Sequence, residues 1–149
     1  MKFLPKAFST FFGIGYMPVA PGTFASLAAA LLYEFLLFRL SWPLYIALIV
    51  LMFLGGVSLA SRFSGELNRK DPREIVIDEV CGQWIAYFLV PGHWLNIILG
   101  FLLFRAFDVL KPYPIRRLEK LPSGLGIMTD DVFAGIYAAV LLHFYLFIK

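Results

Sequence analysis

Apolar residues along this chain fall into long blocks rather than short alternating runs. Five blocks stand out: Ala25 to Leu40, Pro43 to Ala60, Val80 to Val90, Trp94 to Phe107 and Val132 to Ile148. Alternation at period two would signal half-buried strands. Blocks that are apolar all round predict buried or membrane-embedded helices instead. Each is shorter than the roughly 20 residues of a typical crossing, so each is expected to gain a turn from its polar flanks, which places those flanks at the membrane surface. The expected fold class is all-α, a polytopic membrane helical bundle of about five membrane helices.

The stretch from Val80 to Phe104 decides the topology, because it reads either as one helix kinked at Pro91-Gly92 or as two short helices turning there. With a turn and the N-terminus inside, Lys2, Lys6, Arg62, Arg69, Lys70, Arg73, Arg105, Lys111, Arg116, Arg117 and Lys120 all face the cytoplasm, and only Arg39 and Lys149 face out. A single helix would export the segment from Arg105 to Lys120 with its five basic residues, against the usual cytoplasmic excess of Lys and Arg. The hairpin at Pro91-Gly92 is therefore expected.

Composition agrees with a bilayer. Of 149 residues 60% are hydrophobic and 15% charged, with a mean hydropathy of +0.80; soluble domains carry roughly 25% charged residues. Trp42, Tyr45, Trp84, Tyr87 and Trp94 lie near block ends, where interfacial aromatics are common. No linker, repeat or low-complexity stretch divides the chain, so one membrane-embedded domain over residues 1–149 is expected. Gly13, Gly15, Pro18 and Pro21 interrupt the N-terminal region, unlike the continuous apolar core of a cleaved signal peptide, so the first hydrophobic helix is expected to be retained. Cys81, the single cysteine, has no internal disulfide partner. The net charge of +3 matters through its placement, and no nucleic-acid partner is expected.

Under this topology nine of the ten acids, all but Glu34, lie at or beyond the cytoplasmic interface. Four polar segments gather there. Gly13 to Ser26 is a Pro/Gly-rich loop entering a helix, with Thr23 placed as an N-cap; it is either an ordinary capped start or an anion site at the positive helix end. Asp78-Glu79 opens an apolar helix, where acids serve equally as dipole partners or as hard oxygen ligands for Mg²⁺, with Gly82 leaving room beside them. Arg105, Asp108 and Lys111 at i, i+3 and i+6 share roughly one helical face before Pro112 and Pro114 stop the helix. Asp130-Asp131 again leads into an apolar helix, as caps or as ligands. One acidic helix start is unremarkable; two, with Asp108 and an anion-ready loop on the same face, favour a metal–phosphate site. Phosphate beside five carboxylates needs a divalent cation, so a phosphate substrate and Mg²⁺ imply each other.

Other phosphatase chemistries fit poorly. His93 falls on the outer turn and His143 deep in the last helix; Leu125 stands where Pro122-Ser-Gly124 would need a His to make a histidine-phosphatase signature. Tyr87 stands where Cys81 would need an Arg for a cysteine-phosphatase loop.

Together, Ala20-Pro-Gly-Thr23, Asp78-Glu79, the Phe-Arg-x-Phe-Asp-x-x-Lys-Pro run from Phe104 and Asp130-Asp131 resemble the ordered motifs of the phosphatidylglycerophosphatase A family across nearly the whole chain. Ala25 departs from a Gly often present there. The resemblance implies an all-helical, Mg²⁺-dependent enzyme of the bacterial inner membrane that converts phosphatidylglycerophosphate to phosphatidylglycerol and phosphate. On that basis Asp78, Glu79, Asp130 and Asp131 are expected metal ligands, Arg105 and Lys111 phosphate partners, and Thr23 and Ser26 further substrate contacts. Asp108 is a ligand, a general base or a nucleophile, and Asp131 and Lys111 are expected to join it in catalysis. Glu34, about eleven residues into the first helix, is either functional or a protonated or snorkelling side chain. The rival readings are an isoprenoid-pyrophosphate phosphatase, which the missing Arg at Ala25 disfavours, and a small divalent-ion transporter or binding protein, which would place acids deep within several helices.

Overall fold

The structure, a computed structural model, describes residues 3–149, with side chains from residue 5 onward; Lys2, assigned above to the inner face, lies outside the described residues. Its described residues form seven α-helices and no strand: α1 (Phe3–Ser9), α2 (Pro21–Phe35), α3 (Trp42–Leu67), α4 (Ile77–Ala86), α5 (Trp94–Leu110), α6 (Ile115–Leu118) and α7 (Ser123–Ile148). The expected all-α class holds.

Local chemistry explains several boundaries. Pro21 and Pro43 fall in the first turns of α2 and α3, where a missing N–H costs nothing. Asn68 ends α3 and Lys111 ends α5, both in the left-handed conformation that closes many helices. His93 caps α5, its Nδ1 accepting from the Leu95 N–H at 3.3 Å. The Val80 to Phe104 stretch is broken, as expected, with residues 87–93 separating α4 from α5.

Helix lengths sharpen the picture. At 26 residues each, α3 and α7 are long and apolar enough to cross a bilayer. The other three expected crossings are shorter, with 15 residues in α2, 17 in α5 and 10 in α4. At 1.5 Å per residue, α4 is only about 15 Å long. It is the bundle's central helix, packed on α7, α2, α3 and α5, and all its residues except Glu79 and Ile85 are buried. The other long helices turn apolar side chains outward, among them Leu51 on α3, Leu102 on α5 and Val140 on α7, exposed by 68%, 56% and 61%.

The aromatic girdle needs correction. Trp42 and Trp94 are exposed at helix starts, but Tyr45, Trp84 and Tyr87 are core residues. Their polar atoms are satisfied internally, which makes burial tolerable: Tyr45 donates to the Trp84 carbonyl at 2.7 Å, Tyr87 to Ile97 at 2.7 Å, and the Trp84 indole to Ala29 at 3.0 Å. Tyr33 likewise donates to Val90.

Glycines let α7 lie against α4 and α3. A Cβ on Gly82 would stand 2.5 Å from the Asp131 carbonyl oxygen and 2.6 Å from the Phe104 ring, and one on Gly135 would strike the Gly82 carbonyl. Ala86, Ala134 and Ala138 are also fully buried in this region, the small-residue packing that brings membrane helices close.

Candidate active site

The N-terminal end of α4, the C-terminal end of α5, the first turn of α2 and the first half of α7 meet around a polar pocket of about 250 Å³. Its lining includes Thr23, Asp78, Glu79, Arg105, Asp108, Lys111, Asp130 and Asp131. Asp78 and Asp108, thirty residues apart, share this end because α4 and α5 run in opposite directions, as the turn at Pro91-Gly92 requires.

The carboxylates divide into two groups. Asp78, Glu79 and Asp131 each present an oxygen within 4.8 Å of the others. Asp131 is 3% exposed and Asp78 8%. Oδ1 of Asp78 and Oε2 of Glu79 are buried with no hydrogen-bond partner among the described residues. Crowded, orphaned carboxylate oxygens are the donor set a hard divalent cation takes.

The second group is paired with cations. Asp108 contacts Arg105 at 2.6 Å, and Asp130 accepts from Lys111 Nζ at 2.8 Å. Lys111 also lies 3.3 Å from Glu119. Partial burial alone would lower the Lys111 ammonium, but the bond to Asp130 and nearby negative charge outweigh it and raise it.

Three expectations about local geometry change. Thr23 does not cap α2: Ala20 is the N-cap, at φ 45°, and Thr23 is the third helical residue, on the pocket wall. Asp130 and Asp131 are not at a helix start either, since α7 begins at Ser123 and carries them into its second and third turns. Lys111 leaves the row of Arg105 and Asp108, because its φ of 44° takes it out of the helix toward Asp130.

Ser26 is fully buried and is not among the lining residues; its hydroxyl lies 3.5 Å from Arg105 Nη1, behind the pocket. Room beside Gly82 is taken by the α7 backbone. At the α2 N-terminus the nearest anion is Glu79 itself, whose carboxylate packs so closely on Gly22 that a Cβ there would collide with it. Ala25 is buried within α2. Glu34, His93 and His143 do not line the pocket; the His143 ring bonds to the Ala139 carbonyl.

Asp71 and Arg73 also line the pocket, from the loop between α3 and α4. The sequence reading places Arg73 among the charges of this face but assigns neither residue to the site. The polar run Asp71-Pro-Arg-Glu beside Asp78 was the available signal; the fold of the loop toward the pocket was not encoded in any periodicity.

The family model described as Phosphatidylglycerophosphatase A matches residues 7–146. A Haemophilus influenzae protein named phosphatidylglycerophosphatase A is 41% identical over 133 residues, covering 88% of this chain and 82% of that one. Its Escherichia coli namesake is 38% identical over 135 residues, covering 89% and 78%. A Bacteroides thetaiotaomicron protein, provisionally named a phosphatidylinositol-3-phosphatase, is 37% identical over 149 residues, covering 95% and 92%. No solved structure matches this chain. The family match and the near-full coverage of this chain agree with the convergence of the four polar segments, and the chain belongs to the phosphatidylglycerophosphatase A family of phosphomonoester hydrolases.

Proposed function

We propose that this chain is a Mg²⁺-dependent lipid phosphatase that hydrolyses the phosphomonoester of phosphatidylglycerophosphate to phosphatidylglycerol and phosphate at the cytoplasmic face of the bacterial inner membrane. The observation that carries this reading is the meeting of the Asp78, Glu79 and Asp131 trio with Arg105 and Lys111 around one pocket. The orphaned oxygens of Asp78 and Glu79 support a metal there.

In this reading Asp78, Glu79 and Asp131 hold Mg²⁺, with Asp130 contributing beside them. A divalent ion held there would supply Lewis-acid neutralisation of negative charge on the phosphate. Arg105 and Lys111 orient phosphate oxygens by charge-assisted hydrogen bonds, and Thr23 borders the same space. Asp108, oriented by Arg105, accepts a proton from the attacking water as general base. Ser26 acts through Arg105 as a positioning residue. The lipid's acyl chains stay in the apolar layer while its headgroup reaches the pocket.

The whole chain, residues 1–149, acts as one membrane-embedded domain. Its five crossings are α2, α3, α5, α7 and α4 extended by residues 87–93, with Pro91-Gly92 at the outer end. Support comes from the packing of Pro91 near Phe38 and Trp42, which border a pocket separate from the acidic one.

The test supplies purified protein in detergent with phosphatidylglycerophosphate, phosphatidylinositol 3-phosphate or phosphatidic acid, with Mg²⁺ or chelator. Mg²⁺-dependent phosphate release from phosphatidylglycerophosphate is expected. Release from phosphatidylinositol 3-phosphate alone would move the substrate to the headgroup in the Bacteroides relative's name, and release from none would overturn the reading.

A further inference from the structure

A second cavity, of about 720 Å³, lies between α2, α3 and the N-terminal segment. It exists because α2 packs on α4 and α5 while α3 packs on α1, α4 and α7, so α2 and α3 do not lie along one another. Ala28 and Leu32 form one wall, Leu48 and Met52 another, and Ile77 and Trp84 of the central helix the floor, with the apolar N-terminal segment from Phe8 to Ile14 bordering it as well. The one polar atom of the floor side chains, the Trp84 indole nitrogen, is already committed to the Ala29 carbonyl at 3.0 Å. Protein interiors are close-packed, so an apolar recess of this size is in the range that holds a ligand.

We infer that this groove holds an acyl chain of the substrate lipid, a reading that rests on the lipid-phosphatase function proposed above. Two adjacencies link groove and polar pocket. Ile77 on the groove floor directly precedes Asp78 of the carboxylate trio. On α2, Thr23 borders the polar pocket and Ala28 the groove; five residues of helix put the groove about 7.5 Å further along the helix axis. A lipid whose terminal phosphate is in the pocket carries its acyl chains beyond a glycerol-phosphate spacer, in this direction. An unbranched hydrocarbon suits a groove that offers it no free hydrogen-bonding side chain. Because bilayer tails already have apolar surroundings, the gain is in packing and registry rather than hydrophobic transfer. The groove therefore positions the phosphate for reaction.

The experiment uses the full chain in dodecyl maltoside micelles with chelator and phosphatidylglycerophosphate bearing a diazirine in one acyl chain. Expected is labelling of the Ala28–Leu32 and Leu48–Met52 region that unlabelled phosphatidylglycerophosphate competes away and phosphatidylcholine does not. Ala28→Phe should abolish that label and lower kcat/KM on the diacyl substrate about tenfold or more, as displaced reacting groups do. Leu31→Phe, on the exposed side of α2, should change neither. Label on outward Leu51 and Leu54 instead, label that phosphatidylcholine competes equally, or Ala28→Phe with wild-type labelling overturns the groove. Groove labelling by a wild type that releases no phosphate with Mg²⁺ overturns the phosphatase reading and leaves the lipid site standing.

Discussion

A Cβ on Gly82 would stand 2.5 Å from the main-chain oxygen of Asp131, so α4 and α7 cross with backbone against backbone at the level of the carboxylate trio. The obstructing atom belongs to the backbone and cannot turn aside. Asp131 reaches Asp78 and Glu79 because nothing larger than hydrogen occupies that position.

Gly82→Ala is therefore expected to separate the helices, costing about 1–3 kcal/mol from overpacking and lowering phosphate release about tenfold or more. Thermal unfolding and turnover of the same preparation check this. A variant with wild-type melting temperature and rate would show that the crossing does not set the site.

Lys111 combines two roles that substitution can separate. Its backbone is left-handed at φ 44°, and its ammonium bonds Asp130. Lys111→Gly relieves the left-handed backbone and removes the charge, whereas Lys111→Ala removes the charge but keeps the wild-type backbone strain. Both are expected to reduce kcat by about 10²-fold or more, as loss of a preorganised charge partner does, with Lys111→Gly the more stable of the two. Near-normal kcat in Lys111→Gly would remove the ammonium from catalysis.

Mg²⁺ at about 100 times its Kd should stabilise the folded protein by roughly 2.7 kcal/mol, provided it binds the folded chain alone. Asp78→Asn and Asp131→Asn are expected to lose most of that shift, because each removes charge from the trio. Melting curves with Mg²⁺ and with chelator provide the measurement. An undiminished shift in both variants would place the ion elsewhere.

Topology has its own test. Cys81 is fully buried, so a Cys81→Ala background carrying Glu119→Cys reports from the acidic end and one carrying Arg39→Cys from the other. An impermeant thiol reagent applied to intact cells is expected to modify position 39 and spare position 119, with the pattern reversed in inverted vesicles. Modification of position 119 from outside would invert the active-site face.

The pattern of apolar blocks was enough to predict a helical bundle and the interruption at Pro91-Gly92, because side chains that avoid water and a Pro-Gly pair that resists helix act locally. Charge placement predicted that Asp78, Asp108 and Asp131 share an end. Tertiary packing decided what local rules could not see. It made α4 a central helix, because the surrounding helices cover its faces, and drew Tyr45, Trp84 and Tyr87 inward by offering carbonyl partners. It also started α7 at Ser123, removing Asp130 and Asp131 from the capping positions. The division of the acids followed from the same contacts: Arg105 and Lys111 neutralise Asp108 and Asp130, while Asp78, Glu79 and Asp131 remain crowded together. Sequence determined which charges gather at the helix ends around one pocket; only the folded backbone, through close approach at Gly82, decided which of them stand within reach of a single ion.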